Sequence, residues 1–264
     1  MKLVAVMGSP KGKGSGYKVV SLIEEKMKAM GNVEIEYLFL KDTNLKPCMG
    51  CFNCVTKGED KCPLKDDREA IEKKLLEADG VILSSPIYVL NVSGLMKNFI
   101  DRFAYTNHRP RFHGQKVLTV VNTGGMGRKQ ALAAIKLALG GSRVAHELCT
   151  ATPPWPQTER AVAKKEKAID VAAERFYQAC LDTTLPAPSL FDYMTFLIQK
   201  RVGIDCKEYL PADYEFYNGK EYYYETKVNP VKAMLAKGLV NFAMNMMKDM
   251  GPGNVSWPRE QKKA

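Results

Sequence analysis

Histidine and tryptophan are scarce in this chain, with three and two among 264 residues. His108, His113 and His146 have neither the spacing of a metal-ligand pair nor that of a catalytic triad, and read as surface or structural residues. No uninterrupted run of about 18 apolar residues occurs, so no membrane-spanning helix is expected. The opening MKLVAVMGSP holds too short an apolar run for a secretory leader, and no cleavage-like site follows. A soluble, cytoplasmic protein is therefore expected. In that compartment an odd count of seven cysteines argues against a disulfide framework and toward ligands or free thiols. Long basic runs and basic–aromatic interleaving are also missing, so the net charge of +10 does not carry a nucleic-acid reading. Most of the basic excess lies in the first 150 residues, which suits a domain that binds a phosphorylated cofactor. No internal repeat is present.

What is there is enough apolar residue, 45% of the chain, for one sizeable core or a core domain with an appendage. The first 150 residues alternate strand and helix patterns. The runs 2–8, 80–87 and 116–125 are apolar and end in turn residues, as buried strands do; 33–40 alternates like an edge strand, and 142–150 reads as a fifth. Helical periods fill 15–30, the Glu-rich run after Asp66-Asp67, the segment capped by Ser93, 128–139 and about 158–180. This pattern predicts an α/β fold, a doubly wound five-stranded parallel sheet in the order 2-1-3-4-5. Ligands of such sheets sit beyond the carboxyl ends of the strands at the switch point. The domain is expected to span 1–183. Residues 184–264 are expected to form a helical extension, too apolar for a disordered tail.

Three loops at that sheet edge carry ligand-like residues. GSPKGKGSGYK (8–18) offers the hydroxyls of Ser9 and Ser15, the helix-start backbone at Gly16 and Tyr17, and the charge of Lys11 or Lys18, a set suited to phosphate. Its glycines match neither the P-loop nor the dinucleotide register. SSPIYVLNVSG (84–94) brings the stiff Pro86, then Ile87, the aromatic face of Tyr88, Val89, and Asn91 with both donor and acceptor. NTGGMG (122–127) offers backbone amides at Thr123, Gly124 and Gly125 with little side-chain bulk.

Gly8-Ser9-Pro10, Pro86-Ile87-Tyr88, Asn91-Val92-Ser93-Gly94, Phe99-Ile100-Asp101-Arg102 and the Thr123-Gly124-Gly125 loop together resemble the NADPH-dependent FMN reductase family of flavodoxin-like proteins over about the first 180 residues. The resemblance implies FMN bound non-covalently, its phosphate in the Ser9–Lys18 loop and its ring against 86–91 and 123–125. It implies that the flavin carries the redox chemistry, with no catalytic side chain required.

PCMGCFNCVTKGEDKCP (47–63) sets Cys48, Cys51, Cys54 and Cys62 at C-x2-C-x2-C-x7-C, a strong spacing signal for metal ligation. Zinc is open as a ligand, although zinc ribbons usually separate two C-x2-C pairs more widely. So are unligated thiols. The stretch resembles the compact motif of iron–sulfur flavoproteins, relatives of the FMN reductases, which implies a [4Fe–4S] cluster near the flavin; cluster-free relatives resemble the same loop. Cys149, Cys180 and Cys206 are isolated and read as buried or incidental thiols.

In the extension, Phe191, Tyr193, Met194, Phe196, Leu197 and Ile198 make one apolar helix, and Val231, Met234, Leu235, Leu239, Phe242, Ala243, Met246 and Met247 another. A homo-dimer or higher oligomer is expected from these faces. Membrane contact through them, with Lys232, Lys237 and Lys248 alongside, is not favoured, because Asn241 and Asn245 dilute the stripe. Tyr222–Tyr224 are candidates to line a substrate pocket. The function expected is an FMN-dependent oxidoreductase. It would pass electrons from NAD(P)H or a ferredoxin-like donor to a small acceptor. The alternatives are a cluster-free NAD(P)H:FMN or quinone reductase and a zinc-bearing, non-enzymatic binding module.

Overall fold

In β1 (Lys2–Met7) every residue from Leu3 onward is buried, as a central parallel strand covered on both faces requires. The computed structural model describes residues 1–246. The elements that follow are α1 (Ser15–Met30), β2 (Glu34–Phe39), α2 (Asn53–Thr56), α3 (Arg68–Leu76), β3 (Gly80–Tyr88), β4 (Asn91–Val92), α4 (Gly94–Arg102), β5 (Lys116–Thr123), α5 (Arg128–Ile135), β6 (Arg143–Ala151), α6 (Glu159–Leu181), α7 (Leu190–Asp205), α8 (Pro211–Tyr217) and α9 (Pro230–Met246).

The parallel strands lie in the order β2-β1-β3-β5-β6, the doubly wound flavodoxin-like order. β1 is followed in sequence by the edge strand β2 but flanked on its other side by β3, so the switch point falls between β1 and β3. A sixth strand departs from the five expected: β4 pairs antiparallel with the end of β3 (Ile87 with Val92, Tyr88 with Asn91). α5 stops at Ile135 rather than running on toward Leu139. The chain there bends into turns against residues 104–107, so close at Gly140 that a Cβ would stand 1.9 Å from the Thr106 carbonyl oxygen.

By packing, the chain forms two compact units. The first comprises Met1–Cys51 and Cys62–Leu185. Its core joins Leu3, Ala5 and Met7 of β1, Ile82 of β3 and Leu118 and Val120 of β5 to Val20, Ile23 and Met27 of α1 and Ala172, Ala173 and Phe176 of α6. The helices meet it because their apolar residues recur every three or four positions.

The second unit takes in Phe52–Lys61 as well as residues 186–246 among those described. Its core is aromatic: Tyr193 and Phe196 of α7, Tyr217 of α8, Tyr222, and Ala236 of α9. Ser189 caps α7 through a reciprocal capping box with Asp192. A cavity of about 860 Å³ in this unit is lined by Tyr193, Phe196, Lys200, Glu221 and Lys227 among others. The tyrosine run does not line it. Tyr222 is buried on Tyr193 and Phe196, Tyr223 hydrogen-bonds Gln199, and the Tyr224 hydroxyl donates to the Pro186 carbonyl at 2.8 Å. The reason is geometric: phenols can satisfy their hydroxyls at the rim of an aromatic core while their rings fill it. Met247 and Lys248 lie outside the described residues. Among the described residues no helix is long and apolar enough to cross a membrane.

Candidate functional site

The carboxyl ends of β1, β3 and β5 stand side by side, and the three expected loops meet there. Backbone ties fix the first to the second. Gly8 N–H donates to the Ser84 carbonyl at 2.7 Å, and the Ser93 hydroxyl donates to the Gly8 carbonyl at 2.5 Å. Ser93 also accepts from Met96 N–H, capping α4, while its own N–H donates to Ser85 Oγ.

In the first loop, Gly12 takes a φ of +64° and Gly14 forms the N-cap of α1 without any side-chain cap. No acidic residue stands in the first turn. The N–H groups at the start of a 16-residue helix are thus left for an anion, with Lys11 and Lys13 in the loop before it and Lys18 in the helix itself. Ser15 is exposed and Gly16 half-buried. Ser9 is buried, its hydroxyl accepting from Lys11 N–H at 3.3 Å. The Tyr17 ring packs on Tyr37 and Phe39, with centroids 5.1 and 6.0 Å away, so its ring belongs to the core margin.

Gly16 lies against the strand ends: a Cβ there would come within 3.0 Å of Asn122 Oδ1 and 3.2 Å of Ser84 Oγ. Asn122 is buried and its amide donates to Thr150 Oγ1, yet its Oδ1 has no partner among the described residues. A buried carbonyl oxygen without a donor is uncommon and suits a ligand that carries hydroxyls. Asn122 opens the NTGGMG stretch, but nothing in the sequence says that its amide turns toward α1.

The second loop is a hairpin. β3 continues through Pro86 and Ile87 to Tyr88, and the chain reverses at Val89 and Leu90 with φ of +48° and +64°. Positive φ at both central residues is the turn normally made by Asn-Gly, and for a β-branched residue it is strongly disfavoured. Val89 is 97% exposed, so no burial of its own offsets the strain. Replacing the pair by Val89→Asn/Leu90→Gly is expected to raise stability by about 1–2 kcal/mol. The melting temperature should then rise by roughly 2–8 °C. An unchanged thermal melt would show that the turn holds no strain. Asn91 Oδ1 accepts from Val92 N–H at 2.8 Å, bracing the return strand.

The third loop packs on this hairpin. Gly127, at φ +91°, sits so close that a Cβ would meet Leu90 Cα at 2.6 Å and Ile87 Cγ2 at 2.8 Å. Thr123 Oγ1 donates to the Met126 carbonyl and accepts from Gly125 N–H, closing the loop, while Gly124 and Gly125 face open space. Ile87, Leu90 and Gly127 are thus neighbours, a grouping the sequence reading made only in part.

Of the four loop cysteines, Cys48 and Cys51 are exposed and Cys54 and Cys62 half-buried, none of the four in a disulfide. Cys54 falls in the second unit and the other three in the first. Among the described residues no group of three or more His, Cys, Asp or Glu side chains is gathered to hold a metal ion. The donor set itself, four thiols outside any disulfide, has the chemistry of an iron–sulfur or zinc ligand set. Burial opposes the charge of Asp66 just beyond Cys62, yet Arg102 and the N–H groups of Lys46 and Arg68 outweigh it and hold its carboxyl below the usual carboxylate range. Cys180 is buried, its thiol pushed up to about 12 by desolvation. His146 is held below the usual imidazole range by burial and by Arg175.

The family model described as NADPH-dependent FMN reductase matches residues 1–148, from β1 into β6. The chain belongs to that family. Its members are flavin-dependent oxidoreductases, and the match covers all three loops and the cysteine stretch. An iron–sulfur flavoprotein of Archaeoglobus fulgidus is 35% identical over 133 residues, 50% of this chain and 59% of that protein. One from Methanocaldococcus jannaschii is 41% identical over 104 residues, 39% of this chain and 51% of that one. A further A. fulgidus iron–sulfur flavoprotein is 34% identical over 189 residues, 65% of this chain and 90% of its length. The chain thus spans little more than half of the first two relatives and most of the third. Among solved structures, a flavone reductase superposes with a TM-score of 0.52 at 18% identity, covering 70% of this chain and 66% of that one, a likeness of fold.

Proposed function

We propose that this protein is an FMN-dependent oxidoreductase that takes electrons from NAD(P)H or a ferredoxin-like donor and passes them to a small acceptor. The observation that carries the reading is the uncapped, acid-free start of α1 beside Asn122 Oδ1, which has no partner among the described residues. An anion site and a buried acceptor lie together, as a phosphate joined to a hydroxylated chain demands, and FMN has both groups. Ser9, Lys11, Ser15, Gly16, Tyr17 and Lys18 would hold the phosphate end through the helix-start amides and lysine charge. Pro86, Ile87, Tyr88, Val89 and Asn91 would face the ring with Thr123, Gly124 and Gly125, whose open surroundings leave room for it. Bound there, FMN would supply hydride and single-electron transfer. The chain's part is to bind, orient and shield it. No side-chain acid or base is assigned.

In this reading Cys48, Cys51, Cys54 and Cys62 hold a [4Fe–4S] cluster, on the strength of their spacing and the names of the relatives. A second reading, a cluster-free NAD(P)H:FMN or quinone reductase, draws support from the match to the NADPH-dependent FMN reductase model, whose description names no cluster. We place the protein in the cytoplasm as a homo-oligomer. The domain boundary is drawn near residue 183, and the exposed apolar residues of α9, Leu235, Leu239, Phe242 and Met246, are the seam. Anaerobic purification with FMN, iron, labile sulfide and zinc assays tests the whole. FMN with iron and sulfide is the expected result. FMN alone would leave the simple reductase, and zinc without flavin would overturn both.

A further inference from the structure

The two ends of the cysteine loop are stitched to one face of α4. Asn98 Oδ1 accepts from the Cys48 N–H at 3.0 Å, and its amide nitrogen donates to the carbonyls of Leu45 at 3.1 Å and Lys46 at 3.3 Å. One turn further on, Arg102 is buried and uses both ends of its guanidinium. Nη1 donates to the Lys46 carbonyl at 2.7 Å and to Asp66 Oδ2; Nη2 donates to Asp66 Oδ1 at 3.0 Å and to the Cys62 sulfur at 3.8 Å. Asp66 in turn accepts from Lys46 N–H at 2.9 Å and Arg68 N–H at 3.2 Å. Asn44 and Asp67 close the stitching, with Asn44 N–H donating to Asp67 Oδ2 at 2.7 Å and Asp67 N–H to the Asn44 carbonyl. A helix spacing of four residues is what lets Asn98 and Arg102 reach the same strip of backbone.

We propose that Asn98 and Arg102 are positioning residues of the cysteine loop, holding Cys48 and Cys62, its first and last thiols, as an anchored half of the ligand set before any metal binds. The inference rests on the cluster reading of the loop. Its physical content is separate. A ligand loop whose ends are already fixed loses less conformational freedom on binding, so its metal affinity is higher. Partners behind the ligands govern affinity in the same way as they govern orientation. The planar fork of Arg102 matters here as much as its charge. It meets the carboxylate with two nitrogens while also reaching a carbonyl and a sulfur, a fork that the single nitrogen of a lysine does not present.

The test uses the full-length chain and two variants, Asn98→Leu and Arg102→Lys, each reconstituted with ferrous iron and sulfide in the presence of a competing chelator. Amide hydrogen exchange over residues 45–48 is followed in the metal-free proteins. Both variants are expected to bind iron about 10- to 100-fold more weakly, as loss of a group behind a metal ligand does. Exchange at 45–48 should be faster while FMN content stays at the wild-type level. Asn98→Asp, which keeps an acceptor for Cys48 N–H but not the donors to the two carbonyls, should fall between. Wild-type iron affinity in both variants, or unchanged exchange at 45–48, overturns the positioning role alone. A wild-type chain that takes up no iron while retaining FMN overturns the cluster reading and the ligand-positioning role with it. Loss of FMN together with iron in both variants would mark a general folding defect and would also count against the proposal.

Discussion

Ser15→Glu is expected to expel FMN from the protein while leaving the fold intact. Ser15 is the first residue of α1, exposed, with no acidic neighbour in its turn and no cap competing for its amides. A carboxylate here would meet the phosphate proposed at the helix start. Two unit charges about 4 Å apart repel by roughly 1 kcal/mol in water and 4 kcal/mol at a partly buried site. For a single phosphate charge FMN affinity should therefore fall by about fivefold in the first case and about a thousandfold in the second, and by more for a doubly charged phosphate. The new carboxylate would itself suit a helix N-terminus, so stability should hold or rise by a few tenths of a kcal/mol, about 0.3–1 at most. Fluorescence titration with FMN reads the first effect and thermal melting the second. Wild-type FMN affinity in this variant would contradict the phosphate assignment at α1.

The second large effect lies in α3, behind the cysteine loop. Glu72→Ala should destabilise the first unit by about 3–5 kcal/mol, the range for removing one partner of a buried ion pair. Glu72 is 7% exposed and bridges two guanidiniums: Oε2 lies 2.9 Å from Arg68 Nη1 and Oε1 lies 3.1 Å from Arg111 Nη1. Both arginines also lie over the Tyr105 ring at 5.3 Å, and Arg68 donates to its hydroxyl at 2.8 Å. Without the carboxylate, two guanidiniums lie over one aromatic ring with no anion between them at that point, and the Arg68 side chain is only 9% exposed. Glu72→Gln keeps an acceptor and should lose less. Urea unfolding followed by far-ultraviolet circular dichroism measures both. A loss below about 1 kcal/mol in the alanine variant would mean that the network behaves as a solvent-screened surface pair.

The sheet was legible because buried parallel strands have to be almost uninterrupted apolar runs, and the runs at 2–8, 80–87 and 116–125 are that. The edge strand 34–39 showed itself by alternation for the opposite reason. The hairpin at 87–92 was not legible, since Val89-Leu90 is among the least turn-like pairs a sequence can offer. It forms because Gly127, distant in sequence, leaves room for Leu90 and packs on it. Asp66 shows the same limit. It reads as a helix-start residue, and the fold instead turns it onto Arg102.

For the candidate site, the sequence alone determined which loops gather at the strand ends and which glycines and hydroxyls they bring, because strand and helix periods dictate topology and topology dictates the edge. It also determined family membership. Tertiary structure decided what those residues face: Tyr17 turned to the core margin, Asn122 left with an open acceptor beside Gly16, and the outer cysteines tied to Asn98 and Arg102. Such pairings join residues tens of positions apart. Local periodicity carries no information about them, because side-chain direction across a contact is set by packing and hydrogen-bond satisfaction after the elements have assembled.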